Sequence, residues 1–160
     1  MPIYMNYDNL AVKGDVTADG WADWIDLSSF QWGVGRGISS PTGGSSDRES
    51  SAPSISEVVA TKNQDKATGK LLTEAYQGKG VKVVIDFVKT DQGKLAKYLT
   101  YELTDTMISG YSISSGGDRP SESLSLNFVT VNCIPQVLDK DGTLASADAV
   151  KYDIGQAKVV

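Results

Sequence analysis

The sequence contains no histidine. That removes Ser-His-Asp and Cys-His catalysis, and any metal centre built on imidazole. The single cysteine, Cys133, cannot form an internal disulfide, and nothing in the chain calls for an oxidising compartment. Its neighbours Val129, Val131 and Ile134 are apolar and include no base, so Cys133 reads as a buried, inert thiol. No stretch approaches the ~18 apolar residues of a membrane-spanning helix. Met1 to Asp8 has neither the basic start nor the apolar run of a secretory leader. The chain therefore reads as folding in the cytoplasm, and any export would need a dedicated machine. Positive charge is scarce: 15 Lys and Arg stand against 20 Asp and Glu, for a net charge of -5, and they form no cluster. That argues against nucleic acid and anionic membrane as main partners.

The remaining chemistry is also thin. Asp139-Lys140-Asp141-Gly142 is half of a calcium loop without its later glutamate, and reads as a hairpin turn. Gly33-Val34-Gly35-Arg36-Gly37 is followed by a Ser/Pro loop and lacks the spacing of a phosphate-binding loop. Asp23 and Asp26, near Trp21 and Trp24, suggest a carboxylate pair on a sugar, but three residues apart on a strand they face opposite sides. They read as solvated. Arg119 is expected to pair with Glu122 and fix a turn. The chain reads as a non-enzyme that needs no cofactor.

What is present is β-structure. A length of 160 residues suits one domain, here 1–160, able to bury roughly 70% of its unfolded surface. Pro2–Tyr7 and Asn9–Val16 read as strands, with Gly14 marking a bulge or close backbone approach. Ala18-Asp19-Gly20 is a turn. Trp21–Trp32 reads as an aromatic strand in which Ile25 and Leu27 are out of phase with Phe30 and Trp32, which predicts a bulge at Ser28-Ser29. The Gly/Ser/Thr/Pro-rich stretch 33–54 reads as a long flexible loop of roughly 20 residues. Ile55–Thr61 is again a strand.

Thr68–Gln77 is the one helix, with Leu71, Leu72, Ala75 and Tyr76 as its apolar stripe, Thr68 as N-cap and Gly78 as stop. Val81–Lys89 and Lys94–Thr104 alternate as strands. Leu138 to Leu144 turns, Val150–Ile154 is a short strand, and 155–160 is expected to fray. Short strands joined by successive hairpins give a mainly β fold: an antiparallel barrel or two-sheet sandwich with one helix on its side.

The most informative segment is Ile108–Phe128. Tyr111 and Ile113 alternate with Ser112 and Ser114; then, past Gly116-Gly117-Asp118-Arg119-Pro120, Leu124, Leu126 and Phe128 alternate with Ser123, Ser125 and Asn127. This is a hairpin with one face on a core and one nearly uncharged, hydroxyl-rich face in water. Such a face suits weak, unspecific contact better than chemistry.

Several segments, in order along the chain, resemble motifs of the Hcp family, the tube protein of bacterial type VI secretion. They are Val12-Lys13-Gly14-Asp15; Trp24 through Gly33; Ile55 through Lys62 followed by Asp65-Lys66 and Leu71-Leu72; and Ser114 through Glu122 with Leu124 through Phe128. The resemblance implies a β-barrel of two sheets with a flanking helix. It implies homo-hexameric rings that stack into a tube inside a contractile sheath, tipped by a VgrG spike and carrying small effectors in the lumen. Secretion through that machine needs no signal peptide.

Combined with that architecture, the alternation of the aromatic strand suggests Ser29 and Gln31 as lumen-facing, cargo-touching residues. The 33–54 loop, with Arg36, Ser40, Pro41, Thr42, Asp47, Arg48 and Glu49, is the expected contact between rings or subunits. The competing reading is a β-sandwich carbohydrate-binding or adhesin module with its tryptophans as sugar platforms.

Overall fold

A computed structural model describes residues 1–39, 43, 50–138, 144–146 and 148–160. Its elements are β1 (Ile3–Tyr7), β2 (Ile25–Leu27), β3 (Ser29–Gln31), β4 (Val34–Gly35), β5 (Ser54–Ile55), β6 (Val58–Asn63), α1 (Thr68–Gln77), β7 (Val81–Asp91), β8 (Lys94–Ser114), β9 (Ser121–Asn127), β10 (Thr130–Leu138), β11 (Leu144–Ser146), β12 (Val150–Asp153) and β13 (Lys158–Val159).

Strand β8, 21 residues long, serves two layers. Its first part sits between β7 and β10 in a first layer ordered β13-β12-β10-β8-β7-β1-β2. Its last part pairs with β9, which continues through β6 to β3 as a second layer. The expected strand at Lys94–Thr104 is thus the first half of a longer one. A register shift between Ile108 and Gly110 accompanies the change of partner, as bulges re-aim strands at such corners.

The mainly β, two-layer architecture with one helix is as the sequence indicated. The sheet does not close into a full barrel. Among the described residues β2 and β6 share no ladder, and Ser28 N–H donates to Thr61 O at 2.7 Å across that gap.

Alternation builds the core between the layers. In the first layer, the rows Met5–Ile85–Tyr101–Cys133–Val150 and Tyr7–Val83–Leu103–Val131–Tyr152–Val159 face inward. From the second layer come Val58, Ala60, Leu124 and Leu126, all fully buried. Tyr101 stacks on Phe30, with ring centroids 5.0 Å apart, and lies 5.6 Å from Trp32.

Several local expectations are corrected. Asn9–Val16 is not a strand: Asp8, Asn9 and Leu10 have positive φ, and only Val12 bridges back to Tyr7. Gly14 does mark a close approach, since a Cβ there would sit 2.4 Å from the Trp24 carbonyl oxygen. The phase shift at Ser28 is real but is not a bulge. The chain changes layer there, with β2 pairing to β1 and β3 to β6.

Helix α1 has the expected bounds, yet its N-cap is Ala67, and the Thr68 hydroxyl is engaged elsewhere. Leu71 is the buried member of its stripe, whereas Tyr76 is 80% exposed. Within residues 155–160, β13 pairs with β12, and Val160 N–H donates to Lys151 O at 2.9 Å. The 33–54 stretch is tied at its base, with Val34 opposite Ile55 and Ile38 opposite Ser50. The turn expected at Asp139-Lys140-Asp141-Gly142 lies outside the described residues, while its flanks pair Leu138 with Leu144.

Candidate functional site

Two surfaces and one buried cluster carry the features that bear on function. The first surface is the outer face of the second layer. Register places Ser29, Thr61, Ser123 and Ser112 in one row, and Gln31, Val59, Ser125 and Gly110 in the next. Ser29 and Gln31 are exposed and join the serine face of the Ile108–Phe128 hairpin. Ser29 and Thr61 share a hydroxyl hydrogen bond at 2.5 Å. No charged residue occupies either row. Four strands thus present hydroxyl, amide and methyl groups that make short, reversible hydrogen bonds without selecting a charge.

Arg36 is exposed beyond β4, in the separate β4–β5 ladder, and is not in these rows. Ser40, Pro41, Thr42, Asp47, Arg48 and Glu49 lie outside the described residues.

The second surface is an apolar hollow of about 270 Å³. The inward rows of the first layer run on through β10, β12 and β13, past the second layer. Val131, Cys133, Val150, Tyr152 and Val159 form one wall, and Trp32, Val34, Pro53 and Ile55 the other. Val34, Val150 and Val159 are 53%, 52% and 67% exposed. Cys133, expected to be buried, is only partly covered and lines this hollow. Cys133 lies opposite Tyr101 in the β8–β10 ladder, and the Tyr101 pKa is pushed up to about 12, first by burial and then by the neighbouring Cys133 thiol. Trp32 Nε1 is buried and finds no acceptor among the described residues.

The buried cluster overturns one expectation. Glu122 does not pair with Arg119, which is exposed. Glu122 is fully buried and receives the ammonium of Lys62, itself fully buried and directly opposite in the β6–β9 ladder. Lys62 also contacts Asp65 Oδ1 at 2.9 Å. Thr68 Oγ1 donates to Glu122 Oε2 at 3.0 Å, and the Tyr111 hydroxyl donates to Oε1. Burial, then this bond, pushes the Tyr111 pKa up to about 12. The cluster pins the start of α1 to the second layer.

A signal for it existed in the sequence. Lys62 has the parity of Val58 and Ala60, and Glu122 that of Leu124 and Leu126, so two opposite charges fall on core-facing positions.

Asp23 and Asp26 form no catalytic pair. Asp23 meets Lys66 at 3.7 Å and Lys13 at 4.0 Å on the surface, while Asp26 is exposed. No tryptophan offers a broad open platform: Trp21 is 9% exposed, and Trp24 and Trp32 are partly covered. No group of three or more Cys, Asp or Glu suited to a metal ion occurs among the described residues. None of the described helices is long and apolar enough to cross a membrane.

With this geometry in place, comparison with known proteins settles the family. The family model described as "Type VI secretion system effector, Hcp" matches residues 4–133. The chain belongs to the Hcp family. Several solved structures share its fold. One described as a type six secretion system protein is 24% identical, with a TM-score of 0.88 over 99% of both chains. Hcp1 from Salmonella typhimurium is 20% identical, with a TM-score of 0.74 over 99% of this chain and 98% of its own. A type VI secretion system effector from Yersinia pestis is 20% identical, with a TM-score of 0.71 over 94% and 98%. A search of curated proteins returned no match. As an Hcp-family member, the chain is a structural protein of a type VI secretion system, of a kind secreted through that system.

Proposed function

We propose that this Hcp-family chain assembles into a hexameric ring, that rings stack into the tube expelled by sheath contraction, and that the lumen carries small effectors. The VgrG spike and the contractile sheath are its partners in this reading.

The observation that carries the proposal is the apolar hollow beside β10, β12 and β13. At roughly 25 cal/mol per Å² of apolar surface, leaving Val34, Val150 and Val159 wet forgoes stabilisation that a neighbouring subunit would recover. A closed ring joins one face of a subunit to a different face of the next, so a hollow on one side suits a heterologous contact. Cover from a neighbour also explains why strands at the sheet margin, β13 and β3, are tolerated.

The hydroxyl face carrying Ser29 and Gln31 fits the lumen role. A wall whose Ser29 and Gln31 rows carry no charge, with the Glu57 carboxylate next to them on Ser109 and Asn127, holds unlike cargoes weakly and releases them. The 33–54 stretch, through Arg36 and the residues after it, is proposed as the contact between stacked rings.

The test is sedimentation of Val150→Asp. A charge in the hollow is expected to yield folded monomers, and maleimide should then label Cys133 faster than in wild type. Rings forming as in wild type, with Cys133 labelling unchanged, would overturn the assignment of this face. Separately, Gln31→Lys is expected to leave assembly intact while lowering co-purification of effectors, and unaltered co-purification would remove Gln31 from the cargo surface.

A further inference from the structure

The outer face of the first layer holds a feature that neither the ring contact nor the cargo face uses. Residues 13–24 leave the sheet margin and fold back over this face, packing Val16 and Trp21 against Val88 and Tyr4. Beside that packing lies an open hollow of about 380 Å³. Trp21, Trp24, Asp86, Thr100 and Glu102 are among the residues that line it.

Asp86 is the unusual member. It is 3% exposed and lies on the outward row Tyr4–Asp86–Thr100. Trp21 Nε1 donates to its Oδ2 at 2.9 Å, and Thr100 Oγ1 to its Oδ1 at 2.7 Å. Both partners are neutral. Among the described residues no basic side chain comes within 4.0 Å, although buried carboxylates ordinarily have a counter-charge. Each oxygen retains lone-pair capacity beyond its single bond. Glu102, one row away and partly covered, makes no hydrogen bond or ion pair. Lys97 also lines the hollow and forms no ion pair with either carboxylate.

Two carboxylates without counter-charge beside two indoles define a receptor for a flat cation. A guanidinium satisfies it better than an ammonium, because it stacks on an aromatic face while donating in a fork to carboxylates. A sugar fits less well, since neither indole exposes a broad face for a pyranose. We propose that this hollow binds an arginine side chain presented by a partner protein, with Glu102 and Asp86 taking the guanidinium against Trp24.

The test is fluorine NMR of the full chain labelled with fluorotryptophan, in which Trp32 serves as an internal control. Titration with N-acetyl-arginine amide is expected to give a saturable shift of the Trp21 and Trp24 signals while Trp32 stays fixed. The neutral isostere N-acetyl-citrulline amide and the sugar maltose should give none. Glu102→Gln, a near-isosteric change at a partly covered position, should weaken arginine binding about fivefold, as expected for one carboxylate contact near solvent. Lys97→Ala should leave binding equal or tighter, because it removes a competing cation.

Four results would each overturn the assignment: no saturable shift, an equal response to citrulline or maltose, unchanged affinity in Glu102→Gln, or loss of binding in Lys97→Ala.

Discussion

Replacing Glu122 by alanine is expected to be among the most destabilising single changes in this chain. The carboxylate is fully buried and receives three donors: the Lys62 ammonium and the hydroxyls of Thr68 and Tyr111. Removing one partner of a buried ion pair costs about 3–5 kcal/mol, because the other charge stays desolvated. Asp65 remains beside Lys62 at 2.9 Å and offsets part of that loss. Against it, two hydroxyls lose their acceptor, at about 1–3 kcal/mol each when no water replaces it. A net cost of about 4 kcal/mol follows, a large share of the roughly 5–15 kcal/mol of a typical domain.

With a urea dependence of about 2 kcal/mol per molar, the unfolding midpoint should fall by about 2 M. The assay is urea unfolding followed by tryptophan fluorescence, at one fixed protein concentration because assembly makes stability concentration-dependent. The double change Lys62→Met with Glu122→Leu removes both charges and refills the space. It should recover most of the loss, since an apolar pair of similar volume is often as stable as a buried ion pair. A midpoint shift for Glu122→Ala no larger than that of an exposed carboxylate would refute the reasoning. So would a double variant weaker than either single one.

Three further predictions follow from the same structure. Tyr101 and Tyr111 each titrate near 12 in the folded chain against an ordinary 10.0, so both favour the neutral phenol. Their contribution to stability is complete below pH 10 and is lost as pH rises toward 12. Tyrosinate absorbance should show several late-titrating groups, since burial raises Tyr7 as well, and Tyr111 alone among them should move to lower pH in Glu122→Gln. Gly14→Ala should cost about 2–3 kcal/mol by thermal unfolding, because its Cβ would meet the Trp24 carbonyl oxygen at 2.4 Å. Leu71→Ala should cost about 2–5 kcal/mol, whereas Tyr76→Ala on the same helix should cost little, since Leu71 is buried and Tyr76 is 80% exposed.

Much of the fold was legible because alternation is a local property. The hairpin around Gly116-Gly117, the helix at Thr68–Gln77 and the outward placement of Ser29 and Gln31 all follow from residue order. What was not legible depends on partners distant in sequence. Period two shows that Phe30 and Trp32 are out of phase with Ile25 and Leu27, but not that Ser28 carries the chain from one layer to the other. Nor does it show that β8 serves both layers.

Glu122 was misassigned to Arg119 because proximity in sequence outweighed parity. Its true partner, Lys62, lies 60 residues away and meets it only through the β6–β9 register. Cys133 sits on a core-facing row, as its apolar neighbours implied, yet is only partly covered because the second layer stops short of it. The same mismatch in width between the layers creates the apolar hollow, which a sequence without its sheet order cannot reveal.

The proposed function depends on the chain closing into a ring. The most direct measurement is native mass spectrometry of the purified wild-type protein at micromolar concentration. A hexameric ring gives a dominant species at six times the 17.1 kDa chain mass. A species at the single-chain mass that persists as concentration rises would contradict it.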